Sequence, residues 1–138
     1  MKVIFDTNIW ITMLMGFQVS FFKHVFKNVD IDIYVCDDLI KEVMSVSFRD
    51  KFENRITDAS RERLNILFTK ACKHTLITAS SRVPIRDPKD LYLLSLSETI
   101  AADYLVSGDK DLLVLRHHDA TEIISLAEFK KIIEATTR

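Results

Sequence analysis

The sequence predicts an α/β fold with a mainly parallel central sheet, and three observations carry that reading. Short apolar runs ("KVIF", "IDIYVC", "DYLVS", "TEIISL") alternate along the chain with longer stretches of helical apolar spacing. The first run, Lys2 to Phe5, is continuously apolar from Val3 to Phe5, as a strand buried on both faces must be. Two glycines and two prolines in 138 residues leave little room for long loops or disorder.

Each element follows from local pattern. Lys2 to Phe5 is expected as the central strand. Residues 9–28 carry Ile9, Leu14, Phe17, Phe21, Phe22, Val25 and Phe26, which predicts a helix or a helical pair broken near Gly16. In "IDIYVC", residues 31–36, apolar Ile31, Ile33 and Val35 alternate with Asp32 and Tyr34, as in a strand. Asp37 or Asp38 is expected to cap the next helix, which runs to about Phe48. A charged stretch leads to a helix over about 59–73, started by Asp58 or Ser60, with Leu64, Leu67, Phe68 and Ala71 on its apolar face. "HTLITA" reads as a short strand. In "RDPKD", Asp87 as cap and Pro88 at the first helical position predict a helix to about Ala102. "DYLVS" is a further buried strand that Gly108 breaks, "DKDLLVL" begins a short helix, "TEIISL" gives the last strand, and residues 125–135 a closing helix.

Length and composition place the chain as one domain over 1–138, with nearly half its residues apolar. A net charge of −1 argues against a protein that coats DNA by bulk charge, while leaving room for a local basic groove. Cys36 and Cys72 lie far apart in no ligand motif, which suits free thiols in a reducing compartment. The apolar start lacks the pattern of a signal peptide, and Ile9 to Phe17 is too short to span a bilayer. The expectation is a cytoplasmic protein with no membrane partner.

Four acids occupy positions that a parallel sheet makes special. Ligands bind such sheets beyond the carboxyl ends of their strands. Asp6 ends strand one, Glu42 lies one turn into the helix after strand two, Asp90 is in the first turn of the "DPKDLYLL" helix, and Asp109 follows Tyr104 to Val106. All four are expected near one end of the sheet. Clustered carboxylates repel and lose hydration, a state that hard divalent cations relieve. Such ions activate water and stabilise charge in phosphodiester hydrolysis. Asn8 is placed to orient Asp6, and Ser107 to add a hydroxyl at the same rim. Each acid also has a structural reading. Asp6 reads equally well as a helix cap, Asp90 as a favourable first-turn charge, Asp109 as a turn residue and Glu42 as a boundary residue at the margin of an apolar face. Only the combination favours chemistry.

The segments "VIFDTNIWI", "DDLIKEVMSV", "RDPKDLYLLSLSETIAADYLVSGDKDLL" and "EIISLAEF" resemble the PIN-domain family over nearly the whole chain. More closely, they resemble its branch of toxin components of toxin–antitoxin pairs, the VapC-like ribonucleases. The resemblance implies a three-layer α/β/α domain with a parallel sheet, and Mg²⁺- or Mn²⁺-dependent endoribonuclease chemistry on RNA. It further implies a cognate antitoxin and a homodimer. By position, Asp6, Glu42, Asp90 and Asp109 match the acidic metal-site residues. Asn8 and Ser107 match the supporting polar positions. Asp111 is an additional acid that faces either the site or solvent. Asp87 fits a cap better. Leu91 departs from the polar residue often found after the third acid.

Two other functions compete. A phosphatase of the haloacid-dehalogenase type also places an aspartate after strand one, but an acid commonly stands two residues later, where this chain has Asn8. A non-catalytic RNA- or protein-binding module of the same fold is the other, and the presence of all four acids weighs against it. His24, His74, His117 and His118 are scattered, and none is assigned to catalysis. The His117–His118 pair reads as an exposed loop rather than a zinc site. Arg49, Lys51, Arg55, Arg61 and Arg63 form the densest basic stretch, as an RNA contact or as a solvated face. The region around Phe17, Phe21, Phe22 and Phe26 reads as core, with part of it open to a dimer or antitoxin surface.

Overall fold

The computed structural model describes residues 1–78 and 90–136. Strand β1 (Lys2–Phe5) leads directly into helix α1 (Thr7–Leu14). Gly16, at φ +86°, then turns the chain, and α2 (Val19–Lys27) leaves at 116° to α1. The helical pair broken near Gly16 is thus borne out, at the residue whose missing Cβ tolerates the left-handed turn. Strand β2 (Asp32–Val35), α3 (Asp37–Ser47), a single 3₁₀ turn (Asp50–Phe52), α4 (Asp58–Ala71) and β3 (Lys73–His74) follow. Beyond them lie α5 (Leu91–Ile100), β4 (Tyr104–Val106), α6 (Lys110–Leu113), β5 (His117–His118), β6 (Thr121–Ile124) and α7 (Leu126–Thr136). The strands form one six-stranded sheet in the order β3-β2-β1-β4-β6-β5. Every pairing is parallel except that of the edge strand β5 with β6. β1 stands inside the sheet between β2 and β4, as its unbroken apolar run predicts.

Several local expectations need correction. The residue that caps α3 is Cys36, in extended conformation, with Asp37 and Asp38 inside the first turn. The strand ends at Val35 and leaves no residue to spare before the helix. There the two acids still favour the positive end of the helix dipole. Helix α4 is capped by Thr57, which exchanges hydrogen bonds with Ser60 in a reciprocal box. Of the described residues of "HTLITA", only His74 pairs within β3. The neighbouring β2 stops at Val35, and the bond from Thr75 N–H to Val35 O is the last that strand provides. His117 and His118 form β5 instead of an exposed loop, and His118 is buried. The expected cap Asp87 and the following Pro88 lie outside the described residues. Among the described residues, no single helix is long and apolar enough to cross a membrane.

The core centres on the end of β1. The Phe5 ring meets Trp10 of α1 at 5.5 Å, Phe22 of α2 at 5.9 Å and Phe129 of α7 at 5.7 Å, all edge to face. Trp10 is fully buried, stacks edge-on against Phe68 of α4 at 4.8 Å, and donates its indole N–H to the Phe5 carbonyl at 3.0 Å. That bond satisfies the one polar atom of an otherwise apolar ring. Phe5, directly before Asp6, and Trp10, four residues after it, therefore lock β1 and α1 together across the turn that carries Asp6. Trp10→Ala removes the ring and leaves a cavity, and is expected to cost about 3–5 kcal/mol of unfolding free energy. Urea titration followed by far-UV circular dichroism checks this, and a loss below about 1 kcal/mol would remove Trp10 from the anchoring role.

Candidate active site

The site is built where two adjacent parallel strands end. Asp6 follows β1, and its N–H is held by the Val106 carbonyl at the end of β4 at 2.9 Å. Ser107, Gly108 and Asp109 follow β4. The Asp6 side chain is 5% exposed, and both of its oxygens are engaged. Oδ1 accepts the Thr7 N–H at 2.6 Å, and Oδ2 accepts the Ser107 hydroxyl at 2.6 Å. The same Ser107 Oγ accepts the Asp109 N–H at 2.9 Å. One fully buried serine therefore ties the two acids at the strand ends. Asp109 in turn caps α6, its Oδ1 accepting the Asp111 N–H at 2.9 Å.

Asn8 lies across the gap between the two strand ends, with its Oδ1 accepting the Gly108 N–H at 3.2 Å. A Cβ on Gly108 would stand 3.4 Å from the Asn8 amide nitrogen, at ordinary van der Waals contact. Asn8 thus braces the turn after β4 and is exposed on its outer side. Asp111 is half-buried, and its backbone rather than its carboxylate makes the contact to Asp109.

Glu42 reaches the same region from α3. Its Oε2 accepts the Thr7 hydroxyl at 2.7 Å and the Tyr92 hydroxyl through a short hydrogen bond. Thr7 is adjacent to Asp6, so its backbone holds one acid and its side chain the other. Tyr92 lies in the first turn of α5, two residues after Asp90. Asp90 is 9% exposed and occupies the N-cap position of α5, without a capping hydrogen bond from its side chain. Sequence reasoning missed Thr7 and Tyr92. The signal for Thr7 was its place between Asp6 and Asn8. Tyr92 offered a polar tip on an otherwise apolar helix face.

The electrostatics follow from this crowding. Burial pushes the Asp6 carboxyl up from an ordinary 3.8 to about 6. The hydrogen bonds from Ser107 and Thr7 oppose the rise, and the negative charges of Glu42 and Asp109 add to it. Burial, followed by the hydrogen bond to Glu42, likewise raises the Tyr92 phenol, which stays a hydrogen-bond donor at any physiological pH. The donor type suits a hard divalent cation, since carboxylate oxygens supply it and Asp6 gains from a positive neighbour, but among the described residues no three of the four acids bring an oxygen each within 4.8 Å of one another. The charges of Glu42 and Asp109 act on Asp6, while Asp90 stands at the start of α5, outside the hydrogen-bonded chain that joins the other three.

Comparison with known proteins places the fold in a family. Residues 2–111 match the PIN domain. The chain belongs to the PIN-domain family. A chain in the crystal structure of VapBC2 from Rickettsia felis, bound to a DNA fragment from its promoter, shares the fold with a TM-score of 0.61 at 16% identity. The alignment covers 91% of this chain and 98% of that one. No curated protein matches.

The raised Asp6 carboxyl fixes a pH dependence for the metal-free protein. Between about pH 4 and 6 the folded chain keeps a proton on Asp6 that the unfolded chain has lost, so stability falls as pH rises through that window. Above pH 6 the full penalty applies, on the order of 3 kcal/mol. Asp6→Asn removes the charge and is expected to be more stable than the wild type at pH 8 in chelator, with the gap closing near pH 4. Thermal unfolding at the two pH values checks this, and an identical gap at both would mean that Asp6 is not a strained acid.

Proposed function

We propose that the chain is a metal-dependent endoribonuclease of one domain, with Mg²⁺ or Mn²⁺ as its ion, and the toxin half of a toxin–antitoxin pair. The observation that carries the reading is the hydrogen-bonded chain from Asp109 through Ser107, Asp6 and Thr7 to Glu42. It gathers acids from two strand ends and a helix, and nothing in the packing of the core requires so much negative charge there. Asp6, Glu42, Asp90 and Asp109 would hold a divalent cation, which would supply Lewis acidity for phosphodiester hydrolysis. The protein's own groups do the rest. Ser107 and the Thr7 N–H keep the Asp6 oxygens fixed, so the acid needs no reorganisation when charge develops. Thr7 and Tyr92 hold Glu42 against the repulsion of its neighbours. Asn8 keeps the Gly108 turn, and with it Asp109, at a fixed distance from β1. The phosphatase alternative loses ground here, because Asn8 serves as a brace where that chemistry places an acid.

RNA contact falls to part of the basic stretch only. Arg61 is occupied, donating to Ser47 and Asp58 and stacking over Phe48 at 3.9 Å. Arg49 and Arg63 remain as exposed cations, with exposed Lys51 and Arg55 lying over the Phe52 and Phe17 rings. The antitoxin has a suitable surface. An apolar groove of about 620 Å³ lies between α1, α2 and α4, lined by Met13, Leu14, Phe22, Phe26, Leu64 and Leu67. Lys23, Lys27 and Arg63 also line it, which suits an amphipathic helix with an acidic polar face. The VapBC2 likeness supports such a partner. A homodimer completes the assembly that the family resemblance implies.

Single-turnover cleavage of a mixed RNA pool across a Mn²⁺ titration tests the reading. Cleavage is expected to vanish in chelator and return with Mn²⁺. Asp6→Asn, Glu42→Gln and Asp109→Asn are each expected to lose at least roughly a hundredfold, the upper end of effects at metal-site supports. Folded variants that cleave at the wild-type rate would overturn the assignment, and wild-type protein that binds RNA and leaves it intact in Mn²⁺ would make the domain a binding module.

A further inference from the structure

The end of the sheet opposite the acids holds a second group of ligand-type side chains. Glu98 lies eight residues after Asp90, roughly 12 Å further along α5 at the helical rise. His118 belongs to β5, and Asp119 to the turn that joins β5 to β6. One ligand atom from each of Glu98, His118 and Asp119 lies within 4.8 Å of the others. His118 is 9% exposed, and its Nε2 stands 2.5 Å from Glu98 Oε1. Asp119, at φ +52°, has no hydrogen-bond or ion-pair partner among the described residues.

We propose that Glu98, His118 and Asp119 form a structural site for a borderline divalent cation of the Zn²⁺ class, separate from the acidic site. Charge balance favours it. Two carboxylates this close repel, and a protonated imidazole offsets only one of them. A dication with neutral His118 leaves the group uncharged. The ligand types agree as well. An imidazole with two carboxylates suits Zn²⁺ or Co²⁺, in contrast to the carboxylates of the other site, which suit Mg²⁺ or Mn²⁺. Tetrahedral ligands at zinc distances stand about 3.3 Å apart. The Glu98–His118 contact therefore opens by less than one ångström to admit the ion, and Asp119 lies within reach. The consequence is mechanical. The ion clamps the two-residue edge strand β5, and through it the β5–β6 turn, to the C-terminal end of α5.

The test uses the full chain carrying Asp6→Asn, Glu42→Gln and Asp109→Asn, so that the acidic site does not compete. Co²⁺ is added alone and read by its visible ligand-field absorption, then displaced with Zn²⁺. One equivalent of Co²⁺ with a histidine-type spectrum is expected, together with a Zn²⁺-dependent rise in unfolding temperature. Asp119→Asn, at an exposed position that the fold tolerates, is expected to weaken Zn²⁺ binding by roughly 10-fold or more. His118→Asn is expected to abolish the spectrum. No Co²⁺ absorption in the parent protein, or affinity unchanged by both substitutions, would overturn the site and leave Glu98–His118 as an ion pair only. Because the acidic site is disabled throughout, the nuclease reading stands or falls separately.

Discussion

The hydroxyl of Ser107 is the contact on which the site depends. It donates to Asp6 and accepts from the Asp109 amide, and so fixes the ends of two neighbouring strands to each other through side chains rather than ladder bonds. A parallel sheet delivers its strand ends to one edge, but it does not decide how polar groups there are held. Ser107 decides it, at a position with no solvent exposure. An unpaired buried hydroxyl would be costly, and this one has a partner on each side. The arrangement holds Asp6 as a buried carboxylate next to other acids, which burial alone disfavours.

Asp6 both punctuates and strains the structure. It caps α1 through the Thr7 N–H, an ordinary structural service. A helix cap does not need burial to 5% exposure or two acidic neighbours, however, and serine or asparagine would serve as well. The Phe5–Trp10 contacts explain why the acid cannot escape to solvent. The residues before and after the turn are pinned in the core, so the turn itself is fixed. Stability invested around Asp6 thus holds a charge in an unfavourable place, the usual sign of a site arranged for a ligand.

Much of this was legible in the sequence, for physical reasons. The unbroken apolar run before Asp6 allows only a buried strand, and a buried parallel strand must end at the functional edge. Asp109 was legible by the same logic after Tyr104–Val106. Glu42, at the margin of an apolar helix face, read there as a boundary residue just as well, and only its combination with the other acids singled it out. Thr7 and Tyr92 were not found, because their role is to hold Glu42. Tyr92 does so across 50 residues of sequence, a pairing that no local period encodes. The β5 strand was misread because two residues are too few to show alternation. Its existence depends on β6 presenting a free edge. The capping residue of α3 was displaced by one position for a similar reason, since the end of β2 sets where the helix begins.

Asp6 is a buried acid whose carboxyl is pushed up to about 6, so a bound cation would have to displace its proton near that pH. Mn²⁺ binding measured calorimetrically near pH 6, in buffers of different ionisation enthalpy, tests it most directly. Release of about half a proton per ion is expected at that pH, falling toward none by pH 8, since binding requires the deprotonated acid. Mn²⁺ binding whose heat is the same in every buffer at pH 6 would contradict the account.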